Sequence, residues 1–134
     1  MDLEMTPQEA LIAIVGYLAT LVNTLALKIT HSLTLAFATN ATTITATVTD
    51  LVGTVGRIVF VVPALDGVTT ATLSLKDTNG VVLWTSGACA ASSKTAFDST
   101  ELLGLILAGT ITVQIVTSGN QTANRVFGVD CYVQ

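Results

Sequence analysis

The sequence contains few charged residues. Only 10% of its 134 residues are charged, whereas an average globular chain is roughly 25% charged. Hydrophobic residues make up 51%, so the chain is not disordered and must bury surface in its own core or against neighbours. Because single soluble domains usually keep more charge on the outside, the composition favours a protein that works in an assembly.

Basic and aromatic residues are also few. Five Lys and Arg stand against nine Asp and Glu, which gives a net charge of −4. No basic patch is available to neutralise phosphates, so the sequence predicts binding neither to nucleic acid nor, by charge, to anionic lipid. Arg57 and Arg125 are expected at exposed positions or in interface ion pairs. Aromatic residues amount to 5%, too few to suggest a carbohydrate-binding or peptide-binding platform.

Residues that carry chemistry are scarce. The single histidine, His31, comes without a nucleophile motif, and its position after an expected helix end suggests a capping or interface role. One His and two separated Cys cannot complete a zinc site. The stretch 77–80 lacks the other ligands of a calcium loop and is expected to form a hairpin turn. The sequence therefore predicts no enzyme, no catalytic residue, no metal and no cofactor.

The two cysteines leave two states open. Free cysteine is among the most buried residue types, which favours two reduced thiols at Cys89 and Cys131. A single bridge between them is the alternative.

What the chain does have is a long apolar stretch near its N-terminus. Residues 10–27 carry no charge. Before them, Thr6 at the N-cap, Pro7 at the first helical position and Glu9 at the third form a capping box. The sequence therefore predicts a helix over 7–29, about 34 Å long at 1.5 Å per residue.

The large apolar residues of this helix follow a heptad seam. They are spaced alternately by four and three residues, and they form the predicted oligomer interface: Leu11, Val15, Leu18, Val22, Leu25 and Ile29. Leucine at d with β-branched residues at a favours two-stranded packing. Further apolar residues widen the face, which favours three or more copies, so a trimer is one candidate and the number stays open.

The length of the stretch would also permit a membrane span. Its flanks argue against one, because Asp2 and Glu4 are acidic, Lys28 is the only basic residue nearby, and Tyr17 lies in the middle rather than at an interface. No basic region precedes the stretch, so a secretory signal is not expected. A helix that packs on protein is favoured, with a membrane or filament-core helix and a helix folded onto its own domain as alternatives.

After His31 the hydrophobic period changes from 3.6 to 2. The pattern predicts about seven short strands, over 32–37, 42–50, 57–62, two within 70–86, 109–119 and 124–133. The segment 96–109 is ambiguous, and Asp98 or Ser99 could cap a short helical turn there. The expected fold is mainly β: an antiparallel β-sandwich of Ig-like or jelly-roll type at 31–134, preceded by one assembly helix at 1–30.

The β half resembles a known group of proteins. The segments ATLSLKDTNGVVLWTSGA and LAGTITVQIVTSGNQTANRVFGVDCYV resemble small β-sandwich proteins of phage virions, including capsid decoration (cement) proteins. The resemblance covers residues 70–133, and its motifs encode strands and turns. A similar cadence occurs in many extracellular β-sandwich modules. The resemblance implies a structural role and carries over no catalytic or ligand residue.

Two main hypotheses follow. In the first, the chain is a non-enzymatic virion protein that assembles through its helix and presents its sandwich on a capsid or tail. Its partners would be itself and other virion proteins such as a major capsid protein, in a virion assembled in the host cytoplasm. In the second, it is a cell-surface filament subunit like a pilin or archaeal flagellin, although no basic leader precedes its apolar run. A membrane-anchored β domain is a third reading.

Overall fold

The computed structural model describes residues 6–25, 28–37 and 41–133, with side chains at 6–18, 32–36 and 41–133. The described chain is mainly β, and its elements are α1 (Pro7–Leu25), β1 (Lys28–Phe37), β2 (Thr43–Val62), β3 (Thr70–Lys76), β4 (Val82–Ala90), β5 (Ser93–Phe97), α2 (Ser99–Leu102), β6 (Ile106–Thr117) and β7 (Arg125–Val133). The prediction of one N-terminal helix followed by antiparallel strands is confirmed. The Ig-like or jelly-roll type and the domain boundary at residue 30 stay predictions.

The seven strands of the described chain form one antiparallel sheet. Their order is β1-β7-β2-β6-β3-β4, and β5 lies beside β2. The first part of β2 pairs with β6, and its last part pairs with β7 and β5. The long strand β2 therefore belongs to both halves of the sheet.

Strand β2 replaces two predicted strands, over 42–50 and 57–62. It runs without a break through the glycine-containing stretch between them. Asp50 adopts a left-handed conformation with φ 58°, and Gly53 has φ 137°. Two register shifts accompany this part of the strand. The residues between the two predicted strands therefore form bulges. Such bulges bend a strand from one set of partners to another.

The helix is shorter than predicted. It ends at Leu25, and Ile29 lies in β1, where it pairs with Tyr132. The prediction of a helix to residue 29 is therefore wrong. Ile29 and Thr30 are β-branched, and pairing with β7 satisfies backbone groups that a last helical turn would leave without partners.

The ambiguous segment 96–109 contains the end of β5, the helical turn α2 and the start of β6. Strand β5 was not predicted, because its sequence SKTAF is short and half polar. The turn α2 has Asp98 at its N-cap, and the Asp98 N–H donates to Glu101 Oε at 2.9 Å. The prediction of a short capped turn at Asp98 is confirmed.

One hydrophobic core joins both halves of the sheet. Buried side chains from β1, β2, β3, β6 and β7 form a single cluster, with the Phe60 and Phe127 rings stacked at a centroid distance of 6.1 Å. Cys89 and Cys131 are buried and free, and burial raises the pKa of the Cys131 thiol to about 11. The β strands therefore enclose their own core, independently of α1.

Candidate assembly surface

The start of α1 is fixed by its own residues. The Thr6 N–H donates to Glu9 Oε2 at 3.1 Å, and the Glu9 N–H donates to Thr6 Oγ1 at 3.2 Å. These are the two hydrogen bonds of the predicted capping box. The Glu9 carboxylate also lies near the positive end of the helix dipole, so the helix begins sharply at Pro7.

The described turns of α1 carry an uncovered apolar surface. Six large hydrophobic side chains are each 53–66% exposed: Leu11, Ile12, Ile14, Val15, Tyr17 and Leu18. A helix that packs on its own domain hides its apolar face. Over residues 11–18, α1 is therefore not folded onto the β domain.

The predicted seam is partly placed by the structure. At about 100° per residue, Leu11, Val15 and Leu18 lie within about 60° of one another around the helix, and all three are exposed. Val22 and Leu25 lie on α1, but their side chains fall outside the described ones, as does that of His31. Ile29, which was predicted in the seam, lies instead on β1. That these residues form an oligomer interface stays a prediction.

The β domain has two ends, which we call the helix end and the loop end. Lys28, three residues after α1, pairs with Val133, which also pairs with Val55. The Val55 N–H donates to the Leu105 carbonyl at 2.8 Å. The helix end therefore gathers the base of α1, the middle of β2, the α2–β6 loop and the end of β7.

The start of β4 joins the same end. Its Trp84 Nε1 donates to the Glu101 carbonyl at 3.4 Å, and the Trp84 ring meets the Phe97 ring edge-on at 5.0 Å. These contacts bring the β3–β4 hairpin beside α2.

Large apolar side chains are exposed at the helix end. Val52 and Ile106 lie on the outer face of neighbouring strands, two pairs apart in the ladder, and side chains at such diagonal positions are within reach of each other. Leu103, in the loop before β6, is 87% exposed. We call the exposed set at this end the helix-end patch: Val52, Val81, Val82, Leu103 and Ile106.

The loop end consists of residues 63–69 and 118–124, which bind each other. The Asp66 N–H donates to Gln121 Oε1 at 2.9 Å, and Gln121 Nε2 donates to the Gly119 carbonyl at 3.0 Å. Gln121 is fully buried. The Asp66 carboxylate accepts hydrogen bonds from the Thr122 N–H and from Arg125. Most polar groups of this end are thus bonded within the chain, although Arg125 Nε is buried and has no hydrogen-bond partner among the described residues.

The Asp66 carboxyl is the ionisable group that this arrangement affects. Hydrogen bonds from Thr122, and then the charge of Arg125, hold its pKa below the ordinary value of 3.8. Sequence reasoning missed this cluster, although the Asp-Gly and Gly-Asn steps in the two loops mark both as turns.

We searched the described residues for metal sites and for membrane-spanning helices. In them, no three His, Cys, Asp or Glu side chains come together as metal ligands would. No helix within the described ranges is both long and apolar enough to cross a bilayer.

Comparison with known proteins gives no family. No family model and no curated protein matches the chain. Among solved structures, a structure of infectious bursal disease virus, Gx strain, is similar at 14% identity and a TM-score of 0.35, over 80% of this chain and 31% of that one. A T13 particle of the same virus is similar at 14% identity and a TM-score of 0.32, over 76% and 31%.

Latent PorU from Porphyromonas gingivalis is similar at 12% identity and a TM-score of 0.33, over 82% of this chain and 13% of that one. The chain thus spans less than a third of the proteins it matches. At these TM-scores the similarities carry no argument about function.

Proposed function

We propose that the chain is a non-enzymatic structural protein of a virion, which assembles through α1 and presents its β domain on a capsid or tail in a decoration or cement role. One observation supports the assembly step above all others: six large apolar side chains on α1 are more than half exposed. Each would gain up to about 1.5–3 kcal/mol on full burial.

The helix has a physical need for partners. Most helical stability in proteins comes from packing an apolar face against other elements. α1 has 19 residues, and its described apolar face lies in solvent. Packing against α1 of other copies would supply the missing contacts, with Leu11, Val15, Leu18, Val22 and Leu25 as the proposed seam. A trimer is one state that such a wide face suits.

The β domain has the complementary property. It closes its own core, and the outer face of β2 carries four exposed threonines at alternate positions, Thr43, Thr45, Thr47 and Thr49. Hydroxyl groups hydrate this face without adding charge. A domain of this kind suits display on a particle, and we propose a sandwich of Ig-like or jelly-roll type. Other virion proteins, such as a major capsid protein, would be its partners.

Light scattering without detergent tests the assembly step. The full chain should have one defined oligomeric mass, and the Leu18→Asp/Val22→Asp variant should have the mass of a monomer. Ala13→Asp/Thr20→Asp is the matched control, because it adds the same charge on the opposite side of the helix and should stay oligomeric. An unchanged mass in the first variant contradicts assembly through α1. A full chain that grows into filaments or needs detergent would favour the filament-subunit or membrane-anchored reading.

A second measurement tests the location. Mass spectrometry of virus particles purified from a culture that produces this chain should detect it at a constant ratio to the major capsid protein. Recovery of the chain only outside the particles would contradict the virion assignment and leave the assembly result standing.

A further inference from the structure

We propose that the helix-end patch is a second contact between copies of this chain. Each copy in the oligomer would then meet its neighbour through α1 and also through the end of the β domain from which α1 emerges. This inference rests on the proposed function, because it adds a surface to the same assembly.

Leu103 combines an unfavourable backbone conformation with an exposed side chain. It is the C-cap of α2 and adopts a left-handed conformation with φ 51°, which is unfavourable for a residue with a Cβ atom and is usually filled by glycine. Its side chain is nevertheless 87% exposed. Within its own chain, Leu103 has the cost of a strained backbone and almost none of the benefit of burial. A neighbouring molecule that covers the side chain supplies that benefit.

The base of α1 and the patch lie at the same end of the β domain, since Lys28 and Val55 both pair with Val133. In a closed cyclic oligomer, every copy presents the same end to the symmetry axis. Helices that pack around one axis would therefore bring the helix ends of neighbouring copies together.

The patch also adds apolar area that a neighbouring copy could bury. A large aliphatic side chain offers roughly 60–120 Å² of apolar surface for burial. At the observed exposures, the six apolar side chains of α1 offer on the order of 300 Å². A stable interface takes about 800 Å² from each partner, of which roughly 60% is apolar. The described turns of α1 supply part of that area, and the patch adds an apolar area of similar size.

The charges at this end favour a second copy over a charged partner. Arg57 and Asp98 lie 3.6 Å apart, Arg57 Nε to Asp98 Oδ1, and form an ion pair. Glu101 accepts the Asp98 N–H. Arg57 and Asp98 thus balance each other within the chain, and the five side chains of the patch are apolar. An identical apolar surface on another copy complements it.

The test uses the full chain and compares oligomer dissociation constants by dilution in analytical ultracentrifugation. Leu103→Asp/Ile106→Lys should weaken the oligomer at least ten-fold. The matched control is Val68→Asp/Val126→Lys, which places the same charges on exposed side chains, 104% and 54% accessible, away from the helix end. It should change the constant less than two-fold. Equal effects of the two variants, or none from the first, overturn the inference.

Leu103→Gly provides an independent readout. It should weaken the oligomer, yet raise the thermal unfolding midpoint of the monomeric Leu18→Asp/Val22→Asp chain, because glycine relieves the left-handed strain. If Leu103 acted only within its own chain, Leu103→Gly would change the stability of the oligomer and the unfolding midpoint of the monomeric variant in the same direction. An oligomer that resists the patch variants but dissociates with Leu18→Asp/Val22→Asp removes this inference alone. An oligomer that resists the helix variant contradicts the proposed function instead.

Discussion

At the loop end, Asp66, Gln121, Thr122 and Arg125 direct their polar groups at one another. At the helix end, five large apolar side chains and the face of α1 direct their surface at solvent. Both ends belong to the same sheet and share one core. They differ in whether their groups find partners within the chain.

The difference shows where this chain is complete and where it is not. Buried polar groups are costly unless hydrogen-bonded, and the loop end meets that requirement internally except at Arg125 Nε. Exposed apolar surface gains free energy only when something covers it. The loop end therefore bonds most of its polar groups within the chain, although Val68 and Val126 are exposed there, and the helix end carries more apolar surface that another molecule can stabilise. Four predictions test this contrast.

The largest effect is expected in the core that joins the two ends. Phe127→Ala removes a fully buried ring stacked on Phe60 and should destabilise the chain by about 3–5 kcal/mol. Amide hydrogen exchange should speed up at both ends together. Val126→Ala, at an exposed neighbouring position, is the control and should cost less than about 0.5 kcal/mol. Retained protection at one end would show that the ends unfold separately.

The next effect concerns close packing at the loop end. A Cβ atom at Gly119 would lie 2.9 Å from Thr69 Cγ2, and Thr69 is held by its hydroxyl, which donates to the Asp66 carbonyl at 2.9 Å. Gly119→Ala should therefore cost about 1–3 kcal/mol in chemical denaturation.

The Thr69→Ser background is the control, because it keeps the hydroxyl and removes the methyl group. Gly119→Ala should cost clearly less there. At the helix end, Gly104 has open space but φ +71°, so Gly104→Ala should cost only about 1–2 kcal/mol of backbone strain. The same cost for Gly119→Ala in both Thr69 backgrounds would contradict the packing argument.

A third effect is the acid dependence of the loop end. The Asp66 pKa is lowered in the folded chain, so the unfolded chain takes up the proton first as the pH falls. The stabilisation is present above the ordinary pKa of 3.8 and is lost as the pH falls through the lower folded-state pKa. Asp66→Asn should lower the unfolding free energy at neutral pH and flatten its decline in acid. Parallel pH curves for the variant and the native chain would count against this cluster.

The smallest effect is expected from the ion pair at the helix end. Arg57 and Asp98 are 48% and 68% exposed, and such pairs contribute only about 0.2–1 kcal/mol. A double-mutant cycle with Arg57→Ala and Asp98→Ala in the monomeric helix variant should give a coupling in that range, smaller still at high salt. A larger coupling would mean that the helix end, like the loop end, is held by polar contacts.

Local signals in the sequence predicted the local structure well. The capping residues Thr6 and Glu9 lie three positions apart and interact directly. The hairpin turn after β3 is also local, since Asp77 Oδ1 accepts the N–H groups of Asn79 and Val81, both at 2.9 Å. Strands β3, β6 and β7 alternate between buried and less buried positions, as their period of 2 predicts.

Features set by the topology were not predictable in the same way. The two strands predicted over 42–50 and 57–62 leave Gly53 between them, yet it lies within β2, because glycine also permits a bent strand. Ile29 continued the helical period but pairs with Tyr132 of β7, about 100 residues away in sequence. Leu11, Val15 and Leu18 of the heptad are exposed on α1, and their role as an interface stays a prediction. The helix-end patch does not show in the sequence, because the apolar residues of 96–109 resemble buried ones until the strand order places Leu103 and Ile106 outside.

The pairing of β1 with β7 also matters to anyone who wishes to use the chain as a carrier. Lys28 and Val133 lie side by side, so a cargo attached after residue 133 would emerge beside the base of α1 and crowd the subunits. The tip of the loop end is the better graft site. Val68 is fully exposed there, and Gly67 beside it has open space around it. A peptide inserted between these two residues would point away from the proposed contacts between α1 helices. It would occur once in each subunit.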